Sequence, residues 1–501
     1  MTQESAELDA SHSLSEQRVD ADQKAGMEST SRSIAQSSVF LVVRRFGILA
    51  MSFFSTIVIT RKLGPEGYGD LQASLATWGL LLAVCDFGIS MALVREMAKN
   101  PEEQSALLRA TYRVQTLWSI VIALAMVALA LFAFRGASTH AQILLILAPS
   151  VLFSALSAGK SIFRVRYQIG YTVMVDLITT AVQVALTVVV ALLGFGAVGV
   201  AVVISATSIV NSVWIGWEAH RRSRVALPQS WRPAARKLLR AALPLGSMSM
   251  LSGAYLTIDL VILGFMGASG EIGSYAAAVK VVTLANTLPG LLVNAALPGV
   301  SASIESHKVS GALVSKLLHW MTAFAFPCFL GVMLYAKPIT LILFGNRYLG
   351  ATSLISILAI AGFVGTVSQL FSVMLIAATK MRPLILQNTI ATIFNVVLNI
   401  ALIPVFGAVA CAWLTVATEC IVCFGSAWTL FHTMKFRFPL GQVKMTLLVV
   451  ALSTILGAVL LLLNVVVSIV VFAVVLLGGL LITKSWPDEF QPQKLLRKRA
   501  G

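Results

Sequence analysis

The stretch Met445–Thr483, MTLLVVALSTILGAVLLLLNVVVSIVVFAVVLLGGLLIT, carries no ionisable side chain and is fenced by Lys444 and Lys484. As one helix it would be about 58 Å long, nearly twice the ~30 Å of a bilayer's hydrocarbon. It must fold back on itself, and Asn464 near its middle marks the place. Two helices crossing a membrane are the outcome.

Apolar runs of about 17 to 25 residues, each long enough to cross as a helix, recur along the rest of the chain. They start near Val39, Leu71, Val114, Ala141, Val173, Ala197, Ala241, Tyr275, Leu318, Ala351, Leu384 and Ala408, before the final pair at Lys444 and Val465, fourteen in all. The basic residues sort by side. Even-numbered loops and the C-terminal tail hold twenty-six Lys and Arg, among them Arg221, Arg222, Arg224, Arg232, Arg236, Lys237 and Arg240 of the longest loop, while odd-numbered loops hold only Arg61, Lys62, Arg135, Lys337 and Arg347. That asymmetry places both termini in the cytoplasm. The net charge of +16 is then mostly an orientation signal with affinity for the anionic inner leaflet, and no nucleic-acid partner is expected.

Residues 1–38 are polar and hold seven acids against Arg18, Lys24 and Arg32, the composition of a disordered tail. They contain no apolar segment behind a basic start, so the first span is expected to direct insertion. The five cysteines all fall in apolar spans, and the Cys420/Cys423 pair reads as two small packing residues on one helix face. No loop is large enough for a catalytic domain, and no HExxH, GxSxG or GxxxxGK[ST] motif occurs. A carrier is expected, not an enzyme, with no cofactor and no metal ligand set.

Carriers are often duplicated, and this chain contains a repeat. Phe195–Ile209, FGAVGVAVVISATSI, lies over Phe406–Cys420, FGAVACAWLTVATEC, with seven of fifteen positions identical at an offset of 211, and Tyr68 in GYGDL answers Tyr275 in GSYAA at an offset of 207. Because six spans separate the copies, the halves share one orientation and are related by an axis along the membrane normal. The expected fold is all-α and integral to the membrane, with about fourteen transmembrane helices in two pseudo-symmetric six-helix lobes plus two C-terminal helices. Its parts are a disordered cytoplasmic tail (1–38), an N-lobe of spans one to six (39–218), a basic cytoplasmic linker (219–240), a C-lobe of spans seven to twelve (241–433), spans thirteen and fourteen (434–484), and a basic cytoplasmic tail (485–501).

The first loop, Arg61-Lys62-Leu63-Gly64-Pro65-Glu66-Gly67-Tyr68-Gly69, followed by Asp86-Phe87-Gly88-Ile89 and Leu93-Val94-Arg95-Glu96-Met97-Ala98, resembles the start of bacterial polysaccharide flippases. These belong to the multidrug, oligosaccharidyl-lipid and polysaccharide exporter superfamily, whose fold is MATE-like. Thr257-Ile258-Asp259-Leu260, Gly273-Ser274-Tyr275 and Leu343-Phe344-Gly345-Asn346-Arg347-Tyr348 resemble the second-lobe markers of that family. The resemblance covers about Val39 to Leu430. It implies a two-lobed carrier moving a polyprenyl-pyrophosphate-linked oligosaccharide or polysaccharide precursor across the cytoplasmic membrane by alternating access. H+ and Na+ are the candidate coupling ions, and a polysaccharide polymerase or export machinery is the candidate protein partner.

The residues suggest where such chemistry would sit. Arg44 and Arg45, near the cytoplasmic start of span one, suit a diphosphate because guanidinium forks pair with phosphate oxygens and keep their charge; they also suit interfacial snorkelling. Asp259 and Lys280 lie near the outer ends of spans seven and eight, either as a buried pair or with Lys280 left to attract an anion. Asn388, Asn395 and Asn399 line one face of span eleven, and Asn395 and Asn399 are candidate substrate ligands. Glu419, mid-span in span twelve with no base at i±3 or i±4, is either a group that takes up and releases a proton or a neutral acid hydrogen-bonded in the bundle. Asp86 and Asp176 sit nearer the cytoplasm, where water and loop arginines can satisfy them. Spans thirteen and fourteen offer either a groove for a polyprenyl tail or a lipid-facing surface. Rival readings of the whole are a cation-coupled multidrug exporter of the same superfamily and a non-transporting scaffold of a polysaccharide synthesis complex.

Overall fold

Inside hydrocarbon no water bonds the backbone, so each crossing must satisfy its own N–H and C=O groups, which a helix does. The computed structural model describes residues 47–132, 138–222, 231–305, 317–434 and 440–482, and every regular element among them is helical. The N-lobe comprises α1 (47–86, broken at Gly64), α2 (Ile89–Lys99), α3 (Gln104–Phe132), α4 (Thr139–Ser154), α5 (Lys160–Val165), α6 (Ile169–Leu192) and α7 (Gly196–Arg222). The C-lobe comprises α8 (Arg232–Met266), α9 (Ser269–Glu305), α10 (317–320), α11 (Phe326–Leu334), α12 (Ala336–Leu343), α13 (Ala351–Ala377) and α14 (Met381–Met434). Last come α15 (Leu440–Leu461) and α16 (Val465–Ile482).

Ten of the described helical stretches are long and apolar enough to cross a membrane. Two of these, Gly47–Lys99 and Met381–His432, each hold two crossings joined at a glycine. With α8 and α9, 35 and 37 residues long, they make up the fourteen expected. The protein is a multi-pass membrane protein, and large apolar side chains such as Leu186, Trp217, Ile393, Val397 and Leu448 stand exposed where lipid replaces water. Arg44 and Arg45, both tails and the middle of the linker lie outside the described residues; linker residues 219–222 continue α7 and 232–240 open α8.

The duplication is visible in the backbone. Gly196 opens α7 at φ 67°, and Gly407, 211 positions later, breaks α14 at φ 57°; a side chain at either place would be strained. At the second break the Glu271 carboxylate accepts the Ala408 N–H at 3.2 Å and caps the returning helix. The buried faces repeat as well, since Ile143, Leu144, Leu147 and Ala148 of α4 reappear at the same offset as Leu354, Ile355, Leu358 and Ala359 of α13.

The fold-back in the C-terminal stretch falls at Asn464, whose side-chain oxygen accepts the N–H groups of Val466 at 2.8 Å and Val467 at 3.3 Å, starting α16. The hairpin is anchored through one polar knot. Ser468 donates to the Gly457 carbonyl at 2.6 Å and meets the Tyr335 hydroxyl at 2.9 Å, with the Phe472 ring 5.9 Å from that of Tyr335.

Candidate transport sites

The two lobes meet through small residues. Along α8, Gly246, Gly253 and Gly264 face Phe87, Ala83 and Ala73, so closely that a methyl on Gly246 would stand 2.3 Å from the Phe87 carbonyl oxygen and one on Gly264 2.8 Å from Ala73 Cβ. Such crossings let backbones approach in a medium that offers no hydrophobic drive between helices. At one end of this crossing the family-like motifs converge. A methyl on Gly69 would fall 1.8 Å from the Ser269 carbonyl oxygen, and one on Gly273 1.9 Å from that of Pro65. Tyr348 donates to the Thr60 carbonyl at 3.2 Å, and the Arg61 guanidinium reaches the carbonyls of Leu343, at 3.0 Å, and Ile342, capping the end of α12. Tyr68, Tyr275 and Tyr348 are all buried in the core beneath this seam. Segments scattered over nearly 300 positions of sequence form one seal.

The C-lobe holds a polar cluster under the seal. Asp259 of α8 accepts hydrogen bonds from Tyr275 Oη at 3.1 Å, Thr415 Oγ1 at 3.1 Å and Asn399 Nδ2 at 2.9 Å, and Asn395 adds a further one. Asn399 also donates to Asn395 Oδ1 at 2.9 Å, while its own carbonyl oxygen is buried with no partner among the described residues. Asn395 and Asn399 thus serve the Asp259 carboxylate, and a phosphate drawn to them would meet its negative charge. The expected pair with Lys280 is not formed. Counted along the helices, Asp259 lies about 10 Å from the C-terminal end of α8 and Lys280 about 16 Å from the adjoining N-terminal end of α9, whereas Tyr275 lies about 9 Å in, level with the carboxylate. Lys280 is half-buried and makes no hydrogen bond or ion pair among the described residues.

Glu419 packs against α13 where a glycine leaves room: a methyl on Gly365 would touch its carboxyl carbon at 3.1 Å. The repeat offset carries Ser208 onto Glu419 and Ser154 onto Gly365. Those two serines line a cavity in the N-lobe.

That cavity, about 490 Å³, opens among α1, α3, α4, α6 and α7. Asp86 accepts from Ser90 and from Gln115 Nε2 at 3.2 Å. Asp176 is ion-paired with Lys160 at 2.8 Å and accepts from Asn211 at 3.1 Å, so a lysine and an amide satisfy it where loop arginines were expected. The cavity as a whole was missed from sequence. Its trace there is the row Asp176, Thr179, Thr180 and Gln183, at the i, i+3, i+4, i+7 spacing of one helix face inside an apolar span. Near the N-terminal end of α8, Lys237 bridges to Glu103 at 3.0 Å and Glu96 at 3.8 Å. All five cysteines are free thiols, and Cys423 packs against an apolar cluster of the C-lobe, as its reading as a packing residue requires.

Two six-helix lobes with polar interiors, joined by a small-residue seam and trailed by a hairpin, define a membrane carrier of the multidrug, oligosaccharidyl-lipid and polysaccharide exporter superfamily. The chain belongs to the family described as polysaccharide biosynthesis protein, whose model matches residues 34–304. It is 22% identical over 419 residues to a putative O-antigen transporter of Escherichia coli K12, covering 79% of this chain and 96% of that protein. It is 20% identical over 421 residues to a probable low-salt glycan biosynthesis flippase, Agl15, of Haloferax volcanii, covering 82% of this chain and 86% of that one. Its fold matches the lipid II flippase MurJ in an inward closed conformation with a TM-score of 0.72 at 16% identity, over 89% of this chain and 98% of that one.

Proposed function

We propose that this protein flips a polyprenyl-pyrophosphate-linked saccharide from the cytoplasmic to the outer leaflet by alternating access of its two lobes. The observation that carries the mechanism is the seam. Gly69 and Gly273 bring backbone against backbone where the lobes touch, a contact that rigid lobes can break and remake as a carrier opens alternately to each side. The substrate class is supported by the relatives, named for transport of O-antigen, glycan biosynthesis and lipid II. Within this reading Arg44 and Arg45 grip the pyrophosphate at the cytoplasmic mouth. Lys280, half-buried and unpaired among the described residues, is a second anion contact.

The Asp259 cluster takes the coupling cation. A carboxylate, two amide oxygens and a hydroxyl are hard oxygen donors, and the orphaned Asn399 oxygen awaits a positive partner. Na+ fits this set directly, and H+ would instead reside on Asp259 or on Glu419. The decisive experiment reconstitutes the full chain in vesicles and follows a fluorescent lipid-linked oligosaccharide across the bilayer under imposed Na+ or H+ gradients. Movement of the lipid driven by one gradient is the expected result. Gradient-driven efflux of a cationic dye with no lipid movement would favour the multidrug exporter, and no transport of either would favour the scaffold.

A further inference from the structure

We infer that the N-lobe cavity is a saccharide subsite, holding a sugar residue of the cargo apart from its pyrophosphate. The inference rests on the flippase reading and goes beyond it by naming which chemical part of the cargo each lobe region handles. Its volume, about 490 Å³, falls within the ~300–1,000 Å³ of ordinary small-molecule pockets.

Several polar atoms in the cavity have no partner among the described residues. Gln115, 4% exposed, donates its amide to Asp86 and leaves Oε1 buried and unpaired. Asp86 receives all three of its hydrogen bonds on Oδ1, from Ser90 N, Ser90 Oγ and Gln115 Nε2, so Oδ2 remains open. The hydroxyls of Thr180 and Ser208 line the cavity and make no hydrogen bond. Buried polar groups are normally satisfied, so Gln115 Oε1 calls for a ligand group or a water, and the half-buried Asp86, Thr180 and Ser208 set further polar atoms beside it. The open acceptors on Gln115 and Asp86 need donors, while the hydroxyls can do either. Sugar hydroxyls both donate and accept. A pyrophosphate only accepts, and would leave Gln115 Oε1 and Asp86 Oδ2 unmatched.

Charge points the same way. The cavity holds two carboxylates, Asp86 and Asp176, against one ammonium, Lys160, already committed to Asp176 at 2.8 Å. A phosphate entering it would face a net negative wall, whereas a neutral or amino-substituted sugar would not. Trp78 completes the site. Its indole N–H is tied to Ser150 Oγ at 2.9 Å, which fixes a rigid apolar surface at the edge of a polar pocket, suited to the C–H face of a pyranose.

The test measures binding to the full-length protein in lipid nanodiscs. The probes are polyprenyl pyrophosphate and the same lipid carrying one N-acetylglucosamine, one galactose or one rhamnose. At least one glycosylated lipid is expected to bind about tenfold or more tightly than the bare lipid, equivalent to about 1.4 kcal/mol. Gln115→Leu, and separately the shape-conserving Thr180→Val, should bring that ratio toward one. Equal affinity for bare and glycosylated lipids in a protein that flips lipid would overturn the subsite and leave the flippase reading standing. Binding of none of the lipids would overturn both. A ratio unchanged in Thr180→Val and Gln115→Leu would place the sugar elsewhere and sink the assignment; should Gln115→Leu fail to accumulate, Thr180→Val with Ser208→Ala carries the same decision.

Discussion

Replacing Gly273 by alanine tests whether the outer seam is a working gate. The added methyl would lie 1.9 Å from the Pro65 carbonyl oxygen, 2.7 Å from its carbon and 3.0 Å from its Cα, all backbone atoms that cannot rotate aside. Because real Cβ atoms essentially never come within 3.0 Å of another heavy atom, the loop carrying Pro65 must retreat by about 1.1 Å from the start of α9. Overpacking of this kind costs about 1–3 kcal/mol, and here the cost falls only on the state in which the lobes touch. The closed-to-open ratio should drop by about 5- to 150-fold. Thr60, fully buried beneath the seam, reports it: Thr60→Cys in a background without the native cysteines should react slowly with an impermeant maleimide added outside. Adding Gly273→Ala should raise that rate by the same factor and slow lipid flipping. An unchanged labelling rate in protein present at normal abundance would refute the gate, and a rise in labelling without loss of transport would mean that the seam opens but does not limit the cycle.

Ala226→Cys in the same background should react with an impermeant reagent only after the membrane is broken, and ready labelling of intact cells would reverse the assigned topology. Arg44→Ala combined with Arg45→Ala should abolish export with protein still in the membrane. Hydrogen bonds to charged groups contribute about 1.5–3 kcal/mol each, so pyrophosphate affinity should fall more than about a hundredfold, and the double lysine variant should recover only part; normal export from the double alanine variant would return the pair to snorkelling. Asp259→Asn removes the one formal charge from its oxygen cluster and should abolish dependence on a Na+ gradient if that cluster holds Na+. Glu419→Gln should instead flatten the pH dependence of flipping if the coupling proton rides there, and an unchanged pH profile would make Glu419 structural.

The number of crossings, the hairpin at Asn464 and the duplication were legible in sequence because each rests on local chemistry: hydropathy, an Asn that caps a helix, and glycines needed where φ is positive. The polar sites were legible only in part. Asp259, Asn395 and Asn399 stood out as polar residues in apolar spans, yet the partnership among them joins positions 140 apart, and no periodicity reports that. Span boundaries uncertain by about four residues blur depth by about 6 Å, as much as the difference in depth between Lys280 and the carboxylate it was expected to meet. The N-lobe cavity shows the converse. Its row on α6 was present in the pattern, but Asp176 had been accounted for by nearby cations, and only the packing of α6 against α7 reveals that Asn211 and the hydroxyls of its neighbours complete a chamber.

The correspondence of Ser208 and Ser154 with Glu419 and Gly365 bears on how such a carrier could arise. Doubling a half-sized ancestor sets the same position of the fold twice at matching depth, so that each copy can take a different side chain there. In this chain one copy carries small hydroxyls at the paired positions, while the other carries an acid opposite a glycine that makes room for it. In other members of the lineage, the paired positions to compare are these four.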